Sequence, residues 1–433
     1  MLRSHSLSTI KKQLVAPLRT LSRQIHAIKN DKVLRPIGMK HYRHVQSLEA
    51  LLRTSGTATW DQYPAMRMPR HEGFRRELCH ETATSSIPRW MLEDSGASVP
   101  PVSFASIDAA ILWPFEGVAM MRSGKVVAES AFTLQERSPD LLAMPGTHVV
   151  SGKTHVDLRK VVVTAHIDDP VLLSGNGWNQ AFGHWIYDTM TSLYTCRDAL
   201  QTGKLKAIFA SLKPWQKEWL QLLDIPDDAV IEVKEGHITA EKAIVASSLS
   251  VQNVHYPSLQ TVDLLTFLRS LARSEEGNNP YIYLSRASLG KSSHRTLVNE
   301  QAIIDALADI GVQAIVPESM SAMEQVNVFA QARVIIGPVG SAFALSGLAA
   351  EGACVIEILP SQGAHTWMFR SSANVNHWYG CIMADTVPDS EIDLDAEGVK
   401  RAGWYYSYTA DPDILRIIAK RAIDMSKSQP PHH

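Results

Sequence analysis

The hydrophobic pattern of residues 161–273 alternates between stretches of strand length and stretches of helix length. An apolar run at 161–165 is followed by a glycine-rich turn at 174–177 and by a helical stretch at 180–200. The same alternation continues through residues 206–210, 215–223, 230–233, 243–247 and 257–273. Strands that alternate with helices are typical of a mostly parallel sheet with crossover helices. The pattern therefore predicts an α/β domain in this part of the chain.

A second alternation begins after a polar segment with Gly and Pro at residues 274–280, which is predicted to be an interdomain linker. The predicted strands occupy residues 281–285, 312–316, 334–337 and 354–359. The predicted helices occupy residues 298–310, 322–331 and 341–350. Ser321 and Glu324 have the spacing of a capping box at the start of the second of these helices. Two Rossmann-like domains joined by one linker would face each other across a central cleft, at the carboxyl ends of their strands.

The charge of the chain is distributed unevenly. The formal net charge is −2, but residues 1–43 hold ten Lys and Arg against Asp31 and carry +9, which leaves −11 on the rest. This distribution argues against a general nucleic-acid-binding protein, whose positive charge should lie on the folded surface. Apolar residues at three- and four-residue steps from Leu7 to Ile28 predict a basic amphipathic helix. Such a helix docks either on its own protein, on a dimer mate or on an anionic membrane.

Composition narrows the class of protein further. With 45% hydrophobic and 20% charged residues, the chain has the composition of a folded soluble protein. No apolar run reaches the roughly 20 residues of a membrane span, and no signal-peptide pattern is present, so a cytoplasmic location is expected. The cysteines are widely spaced without a C-x-x-C motif, which indicates neither a disulfide framework nor a zinc site; they are Cys79, Cys196, Cys354 and Cys381.

Candidate anion-binding groups follow two predicted strands of the second domain. Three basic side chains come within ten residues after the first strand: Arg286, Lys291 and Arg295. After strand 334–337, Gly337 and Gly340 lead into a predicted helix that starts at Ser341. Arginine makes bidentate phosphate contacts, and the N–H groups of a helix start hold an anion without a metal ion. Each element alone also fits a solvated loop or a simple turn, but their combination on strand ends favours an anionic ligand.

The first domain contributes a histidine and a carboxylate next to its glycine-rich turn. His184 and Asp188 are four residues apart, so on a helix they share one face and can touch. A carboxylate that orients an imidazole makes a general base, whereas a buried histidine satisfied by an acid is the structural alternative. Aromatic and amide side chains, which suit a sugar ring, lie nearby in the sequence: Asn176, Trp178, Asn179 and Trp185. This context favours a catalytic pair beside an acceptor-binding surface.

Ordered sequence blocks in residues 161–360 resemble glycosyltransferase family 61. The blocks are HWIYDT from His184, YIYLSR at 281–286, NE at 299–300, PESMSAMEQVNVFAQA from Pro317, IIGPVGSA from Ile335 and VIEILP from Val355. The resemblance implies a GT-B fold, an inverting mechanism, a nucleotide-sugar donor bound mainly by the C-terminal half, and no metal or other cofactor. Glu357, at the end of its strand, resembles the family's strand-end Glu, which implies that it accepts ribose hydroxyls; a solvated strand-end carboxylate is the alternative. Bacterial members of the family are associated with capsular and other surface polysaccharide synthesis.

One departure from the family pattern concerns the glycine turn of the second domain. The family usually shows Gly-Pro-His-Gly, and Val339 occupies the place of the histidine. This substitution removes a phosphate or leaving-group contact. The Asp393-Leu-Asp395 and Asp411-Pro-Asp413 sequences match the D-x-D pattern of metal-dependent transferases, but neither follows an apolar strand. Both are therefore predicted to cap helices.

The expected organisation has four parts. Residues 1–50 form a basic amphipathic extension, 51–273 an acceptor-side α/β domain, 274–400 a nucleotide-sugar-binding Rossmann-like domain, and 401–433 a C-terminal helix that packs back on the N-terminal domain. The expected protein is an inverting, metal-independent glycosyltransferase that acts on a glycan or another hydroxyl acceptor. Residues 1–43 would provide a peripheral membrane contact at the inner face of the membrane.

In the expected reaction, His184 oriented by Asp188 takes the acceptor proton, and Asp188 as the direct base is the alternative. The donor diphosphate is held by Arg286, Lys291, Arg295, Gly337, Gly340 and Ser341. A rival hypothesis is a non-catalytic nucleotide-sugar-binding protein derived from a transferase. An α/β oxidoreductase is disfavoured because no strand is followed by a G-x-G-x-x-G motif with an acidic residue about twenty positions later.

Overall fold

The computed structural model describes residues 35–37, 43–99, 101–127, 130, 142–151, 153–247, 258–273, 278–287, 295–360, 364–387 and 406–428. The basic amphipathic helix predicted from Leu7 to Ile28 lies outside this set. Lys291 and Asp393-Leu-Asp395 also lie outside the described residues, as does most of the predicted linker at 274–280.

The strands of the described residues are, in chain order, β1 (Arg35–Pro36), β2 (Arg43–His44), β3 (Ala58–Tyr63), β4 (Met66–Met68), β5 (Ala97–Val99), β6 (Val102–Trp113), β7 (Val118–Met120), β8 (Thr147–Val150), β9 (Lys153–Val156), β10 (Val163–Ile167), β11 (Val171–Leu173), β12 (Lys206–Phe209), β13 (Val230–Glu232), β14 (His237–Ala246), β15 (Tyr281–Leu284), β16 (Gln313–Ile315), β17 (Val334–Pro338), β18 (Cys354–Pro360), β19 (Trp378–Thr386) and β20 (Tyr408–Thr409).

The α-helices are α1 (Leu48–Arg53), α2 (Arg89–Leu92), α3 (Phe182–His184), α4 (Thr191–Thr195), α5 (Arg197–Gln201), α6 (Pro214–Leu222), α7 (Leu259–Ser270), α8 (Glu300–Ala308), α9 (Ala322–Gln331), α10 (Trp367–Asn374) and α11 (Pro412–Lys427). A π-helical turn (Trp185–Met190) joins α3 to α4. The 3-10 helices are Arg76–Leu78, Leu158–Lys160, Asp227–Ala229, Pro317–Ser319 and Ser341–Leu348.

The first sheet is built around four parallel strands. Its main path has the order β13-β12-β11-β14-β6-β3-β2, and β10 and β7 pair with β14 and β6. Leu173 of β11 lies opposite Ile208 on one side and Val245 on the other, both in parallel register. The order of the parallel strands is that of one half of a doubly wound α/β fold, whose ligands bind where the strand order reverses. In this sheet the reversal falls between β11 and β14.

The second sheet has the order β16-β15-β17-β18-β19-β20. Strands β15 to β19 pair in parallel, and β20 adds an antiparallel edge. This is the second common doubly wound order, and its reversal point lies between β15 and β17. The strands predicted from the apolar runs at 281–359 are confirmed to within two residues at each end, because buried parallel strands are apolar on both faces. The fold is therefore mixed α/β.

Two helix predictions in this part of the chain have different outcomes. The capping box at the start of α9 is confirmed, because the Ser321 side chain accepts from Glu324 N and the Glu324 carboxylate accepts from Ser321 N. The helix predicted at 341–350 is present as a 3-10 helix rather than an α-helix. It packs closely on α7, where a Cβ at Gly347 would overlap the Leu265 side chain.

A long excursion from the first sheet reaches the second one. Strands β4 and β5 pair as a two-stranded ribbon, and residues 69–96 between them, here called the arm, run along β19. Tyr379 N donates to Gly73 O, and His80 N donates to Cys381 O at 3.0 Å. The side chains of Thr82 and Thr84 both donate to Asp385. This part of the predicted N-terminal domain therefore packs on the second sheet.

The C-terminal helix α11 also packs on the second sheet. Its main contacts are with α8 and β17, and its contact with the arm is at the turn Arg76–Leu78. The arm belongs to residues 51–273, so this contact joins the C-terminal helix to the predicted N-terminal domain. The segment before the helix joins the second sheet, where β20 pairs with β19 and Asn299 Nδ2 donates to Ala410 O at 2.7 Å. The predicted capping role of Asp411 is confirmed, because its carboxylate accepts from Asp413 N and Ile414 N.

The hydrophobic core is continuous between the two sheets. The largest cluster of buried apolar side chains includes Leu172 and Phe209 of the first sheet together with Ile336 and Ile356 of the second. Two smaller clusters fill the other face of the first sheet and the region around β7 and β9. Within the described ranges, no helix has both the length and the hydropathy that a membrane span requires.

Candidate active site

The structure brings His184 and Asp188 together, as their spacing predicts. His184 ends α3, Asp188 lies in the π-helical turn, and His184 Nδ1 is 3.0 Å from Asp188 Oδ2. The two side chains keep only 13% and 6% of their surface exposed. A carboxylate next to Nδ1 favours the tautomer in which Nδ1–H donates, so Nε2 is the nitrogen that would accept a proton. Single π-helical turns inside α-helices occur frequently at functional sites.

Two tryptophan rings flank the imidazole of His184. The ring centroid of Trp178 lies 5.7 Å from that of His184, and the ring of Trp367, from α10, lies 4.6 Å away. Gly183 makes this approach possible, because a Cβ there would come within 3.1 Å of the Trp367 ring. The imidazole therefore lies where α3 meets the helices of the second sheet. Trp178 is 48% exposed and offers a ring face of the kind that stacks on sugars.

The four predicted acceptor residues, which lie in or just after the loop before α3, differ in whether a ligand can reach their side chains. Trp178 is exposed, and Asn176 lines a pocket. Asn179 instead braces the loop, because its Oδ1 accepts from Asn176 N at 3.0 Å and from the Thr189 hydroxyl at 2.7 Å. Trp185 is fully buried in the core. Trp185 is therefore turned away from any acceptor in this structure, because neighbouring helix positions point in different directions, and the acceptor contacts of Asn176, Trp178 and Asn179 stay predictions.

A pocket opens at the reversal point of the first sheet. It is lined by Leu173 and Ser174 after β11 and by Val245, Ala246 and Ser247 at the end of β14, together with Gly117, Ser130, Gly175, Asn176, Asp188 and Ser192. Its polar groups are hydroxyls, one amide and one carboxylate, and its volume of about 30 Å³ has room for about one water molecule rather than a sugar ring. The Asp188 carboxylate thus contacts both the imidazole and this pocket.

Arg286 lies at the reversal point of the second sheet, directly after β15. Its backbone N donates to Glu300 Oε1 at 2.7 Å, and Glu300 is buried and also accepts from the Tyr283 hydroxyl. The Arg286 guanidinium lies across the turn after β17, with Nη1 3.5 Å from Val339 O. A Cβ at Gly340 would overlap this nitrogen. Glu300 and Gly340 therefore position Arg286 at the strand ends.

The other predicted donor residues lie around this point in different environments. Gly337 packs against Leu284, where a Cβ would come within 3.0 Å of the Leu284 carbonyl, so this glycine allows two strands to pack closely. Ser341 is exposed and begins the 3-10 helix opposite Gly183. Arg295 has a left-handed backbone (φ 64°) and lies near the carboxyl of Glu357.

Glu357 does not reach the surface in this structure. Its carboxyl is fully buried in β18 and accepts from the Tyr379 hydroxyl at 2.7 Å. Burial raises the pKa of Glu357 to about 7, although Tyr379 and Arg295 act in the opposite direction. The ribose contact implied for Glu357 stays a prediction, and no part of the side chain is exposed in this structure.

We expect Glu357→Gln to remove a pH dependence of stability. Because the folded pKa of about 7 exceeds the ordinary value of 4.5, the folded protein binds more protons between these values. The stabilisation is present below about pH 4.5 and is lost as the pH rises through 7, a loss of about 3 kcal/mol. Urea unfolding of both proteins at pH 5 and pH 8 measures the difference. A Gln variant that loses as much stability as the wild type between these pH values would contradict the expectation.

One group of described residues could offer ligands to a metal ion. His166 Nε2 lies 3.1 Å from Asp168 Oδ1 and 3.8 Å from Glu241 Oε1. Both carboxylates are largely exposed, which is also the geometry of a surface ion pair. Glu241 precedes Ser247 by six positions along β14, which corresponds to about 20 Å. The group is therefore remote from the His184 site.

The protein has a mixed α/β fold. The His184–Asp188 pair lies beside the reversal point of the first sheet, and Arg286 lies at the reversal point of the second sheet. Residues 182–356 match the model of the family described as glycosyltransferase 61. This match supports that family for the segment and indicates glycosyltransferase activity. The matched segment begins two residues before His184 and includes Arg286, Glu300 and Gly340. No curated protein matches the chain.

Sequence reasoning missed two residues of the site. Trp367 follows the carboxyl end of β18 by seven residues, and an aromatic residue just after a strand end is the signal that could have indicated it. Glu300 belongs to the NE block at 299–300, but the sequence assigns it no role. Its buried position after β15, next to Arg286 N, becomes apparent only in three dimensions.

Proposed function

We propose that this protein is an inverting, metal-independent glycosyltransferase that transfers a sugar from a nucleotide-sugar donor to a hydroxyl group of a glycan or another acceptor. The observation that carries the proposal is the hydrogen-bonded pair of His184 and Asp188 within the segment that matches glycosyltransferase 61. The proposed arrangement is GT-B-like, with the acceptor on the side of the first sheet. The proposed role is bacterial surface polysaccharide synthesis, in the cytoplasm or at the inner membrane face through residues 1–43.

The donor side of the proposal rests on Arg286. An arginine at the reversal point of a parallel sheet lies where doubly wound folds bind their ligands, and its planar guanidinium suits a diphosphate. The buried Glu300 fixes its backbone, and Gly340 leaves room for its side chain. The positive charge of Arg286 supports diphosphate binding without a bound metal ion.

The acceptor side rests on the surroundings of His184. The ring centroids of Trp178 and Trp367 both lie within 6 Å of that of the imidazole, and the exposed ring of Trp178 offers a surface for a sugar. In an inverting transfer, one base removes the proton of the attacking hydroxyl while the sugar–phosphate bond breaks. His184 Nε2 would accept this proton, and Asp188 would stabilise the imidazolium that forms. Arg286 would stabilise the charge of the departing nucleoside diphosphate.

A second candidate function is a nucleotide-sugar-binding protein without turnover. It is favoured by Val339, which is fully buried at the position where the family usually has histidine. The Val339 backbone N donates to Ile358 O at 3.1 Å, so the turn keeps a regular backbone without the imidazole. The two candidates differ in one result, because only the enzyme releases nucleoside diphosphate when donor and acceptor are both present.

We expect Arg286→Ala to weaken the binding of nucleoside diphosphates by about 10- to 100-fold, the scale of about 1.5 to 3 kcal/mol for a hydrogen bond to a charged group. Titration calorimetry with UDP, GDP and ADP identifies the nucleotide and measures its Kd. EDTA should leave the Kd of the wild type unchanged. Loss of binding in EDTA, restored by Mn²⁺, would contradict metal independence.

Arg421→Ala is the matched control for this experiment. Arg421 lies on α11 and donates to Glu77 O of the arm, and neither residue belongs to the predicted donor site, so its removal should not alter nucleotide affinity. Gly340→Ala should also weaken nucleotide binding, because the added methyl group displaces the Arg286 guanidinium. Equal affinities for the wild type and Arg286→Ala would assign Arg286 to the solvated surface.

A further inference from the structure

Two cysteines that are remote in sequence lie next to each other where the arm meets the second sheet. The Sγ atoms of Cys79 and Cys381 are 4.0 Å apart, although 302 positions separate the residues. Cys79 directly follows the turn Arg76–Leu78 of the arm, and Cys381 lies in β19. The backbone holds them there, because His80 N donates to Cys381 O at 3.0 Å and Met383 N donates to His80 O.

This backbone pairing satisfies the geometric requirement for a disulfide. Hydrogen-bonded strands lie about 4.8 Å apart. The Cα atoms of disulfide-bonded cysteines are usually roughly 4.4 to 6.8 Å apart. The two thiols already face each other, so side-chain rotation and a small backbone adjustment would bring the sulfur atoms to bonding distance.

The two thiols differ in accessibility and in acidity. Cys79 is partly exposed, whereas Cys381 is buried. The Cys381 thiol donates to Cys79 Sγ, and this contact, with help from the nearby Arg76, lowers the pKa of Cys79. The same contact and burial raise the pKa of Cys381. The thiolate is the nucleophile, so Cys79 is the sulfur that meets an oxidant and Cys381 is the sulfur that resolves the product.

We infer that Cys79 and Cys381 are a modification site, a thiol pair that a small peroxide such as hydrogen peroxide converts reversibly into an intramolecular disulfide. This inference goes beyond the proposed function and does not depend on it. Disulfides in reducing compartments are usually transient and redox-sensing.

The reaction balances in two steps. The Cys79 thiolate attacks one peroxide oxygen, the O–O bond breaks, and the released hydroxide takes up a proton to give water and a sulfenic acid on Cys79. The Cys381 sulfur then attacks Cys79 Sγ, the S–O bond breaks, and a second water leaves as the S–S bond forms. Two thiols lose two electrons in total, and one peroxide is reduced to two waters. A dithiol such as dithiothreitol reverses the oxidation by thiol–disulfide exchange.

The disulfide would attach the arm covalently to β19. Cys381 lies opposite Glu357 in the register of β18 and β19, so the new bond forms beside the buried carboxyl. A cross-link between residues 302 positions apart restricts the unfolded chain strongly. We therefore expect oxidation to raise the Tm by about 5 °C or more.

The test uses the full chain, first reduced and then treated with increasing hydrogen peroxide. Remaining thiols are blocked with iodoacetamide, and the intact mass and the peptides are measured without reduction. We expect the loss of two hydrogens, a peptide that joins Cys79 to Cys381, a higher Tm, and reversal of all three changes by dithiothreitol. Oxidation of Cys79 to a sulfinic acid while Cys381 remains alkylatable would overturn the inference. A disulfide between two copies of the chain would do the same.

The variants separate the pair from the other cysteines. Cys79→Ser should abolish both the mass change and the Tm shift. Cys354→Ala is the matched control, because burial raises the pKa of Cys354 to about 12 and its thiol faces Ala422 O on α11. This control should form the same disulfide as the wild type. The peptide map of the wild type tests the inference directly, even if a variant fails to fold.

Discussion

Replacement of His184 by alanine is expected to lower kcat by about 10²- to 10⁴-fold while donor affinity and Tm change little. A positioned general base contributes a factor of this size to a proton transfer. The imidazole is held by Asp188 through a 3.0 Å hydrogen bond and by two flanking tryptophan rings, which is the preorganisation that a base requires. Steady-state kinetics with the nucleotide sugar identified by titration, together with melting curves, provide the measurement.

The alternative role of this pair is structural, and the same experiment separates the two. If the pair only satisfies buried polar groups, His184→Ala should cost on the order of 1 to 3 kcal/mol of stability, and activity should fall only with the folded fraction. A double variant with Asp188→Asn should be hardly worse than the more damaging single variant if the two residues act as one unit. Near-normal turnover in folded His184→Ala would assign the base to Asp188 or to another group.

His166→Ala is the matched control for His184→Ala. His166 also contacts a carboxylate, with Nε2 3.1 Å from Asp168 Oδ1, but it lies on the surface of the first sheet, away from both reversal points. Its removal should leave kcat unchanged. A similar loss of activity in both variants would indicate a general effect of removing a histidine–carboxylate contact rather than the loss of a base.

Replacement of Arg370 by methionine is expected to destabilise the protein by about 3 to 5 kcal/mol. Arg370 of α10 and Asp94 of the arm form an ion pair in which the side chains are only 10% and 6% exposed. Asp94 also accepts from His71 N at 2.7 Å. Removal of the guanidinium leaves a buried carboxylate without its counter-ion, which is among the most costly single changes in a protein interior. Urea-induced unfolding at pH 7 measures the change in the free energy of unfolding.

Two further variants test whether burial of the pair causes this effect. Arg89→Ala removes the partner of Glu93 on the same arm, but that pair is exposed, so the change should be within about 0.5 kcal/mol. Asp94→Asn combined with Arg370→Met should be less destabilising than Arg370→Met alone, because no unpaired charge remains. If Arg370→Met costs no more than Arg89→Ala, the arm is not held by this ion pair.

Local patterns predicted the second sheet well because its strands are buried on both faces. The runs at 334–337 and 354–359 are apolar apart from Glu357, which is how strands of a covered parallel sheet appear in a sequence. The arm could not be predicted in the same way. Its pairing with β19 joins residues about 300 positions apart, and its short 3-10 and α-helical turns have no regular period. The contacts of α11 with α8 and β17 could not be predicted for a related reason, because the sequence does not show which sheet β20 joins.

Contacts between residues close in sequence could be predicted for the candidate site. The direction of a side chain and contacts from the other sheet could not. The contact between His184 and Asp188 follows from their spacing on one helix face. Trp185 is the next residue after His184, yet helix geometry turns it about 100° away and into the core. Trp367 reaches the same imidazole from the other sheet, and no pattern near residue 184 contains that information.

The arm has a consequence for how this chain can be made. Its partner strand β19 lies about 300 residues downstream, so during synthesis at 5–20 residues per second the arm waits roughly 15 to 60 seconds for its partner. The first sheet can assemble meanwhile, because its last strand ends at Ala246. The second sheet closes only after β19 has been synthesised, when the arm covers the edge of that strand. A fragment that begins at the predicted linker would leave that edge uncovered, and an uncovered strand edge promotes aggregation.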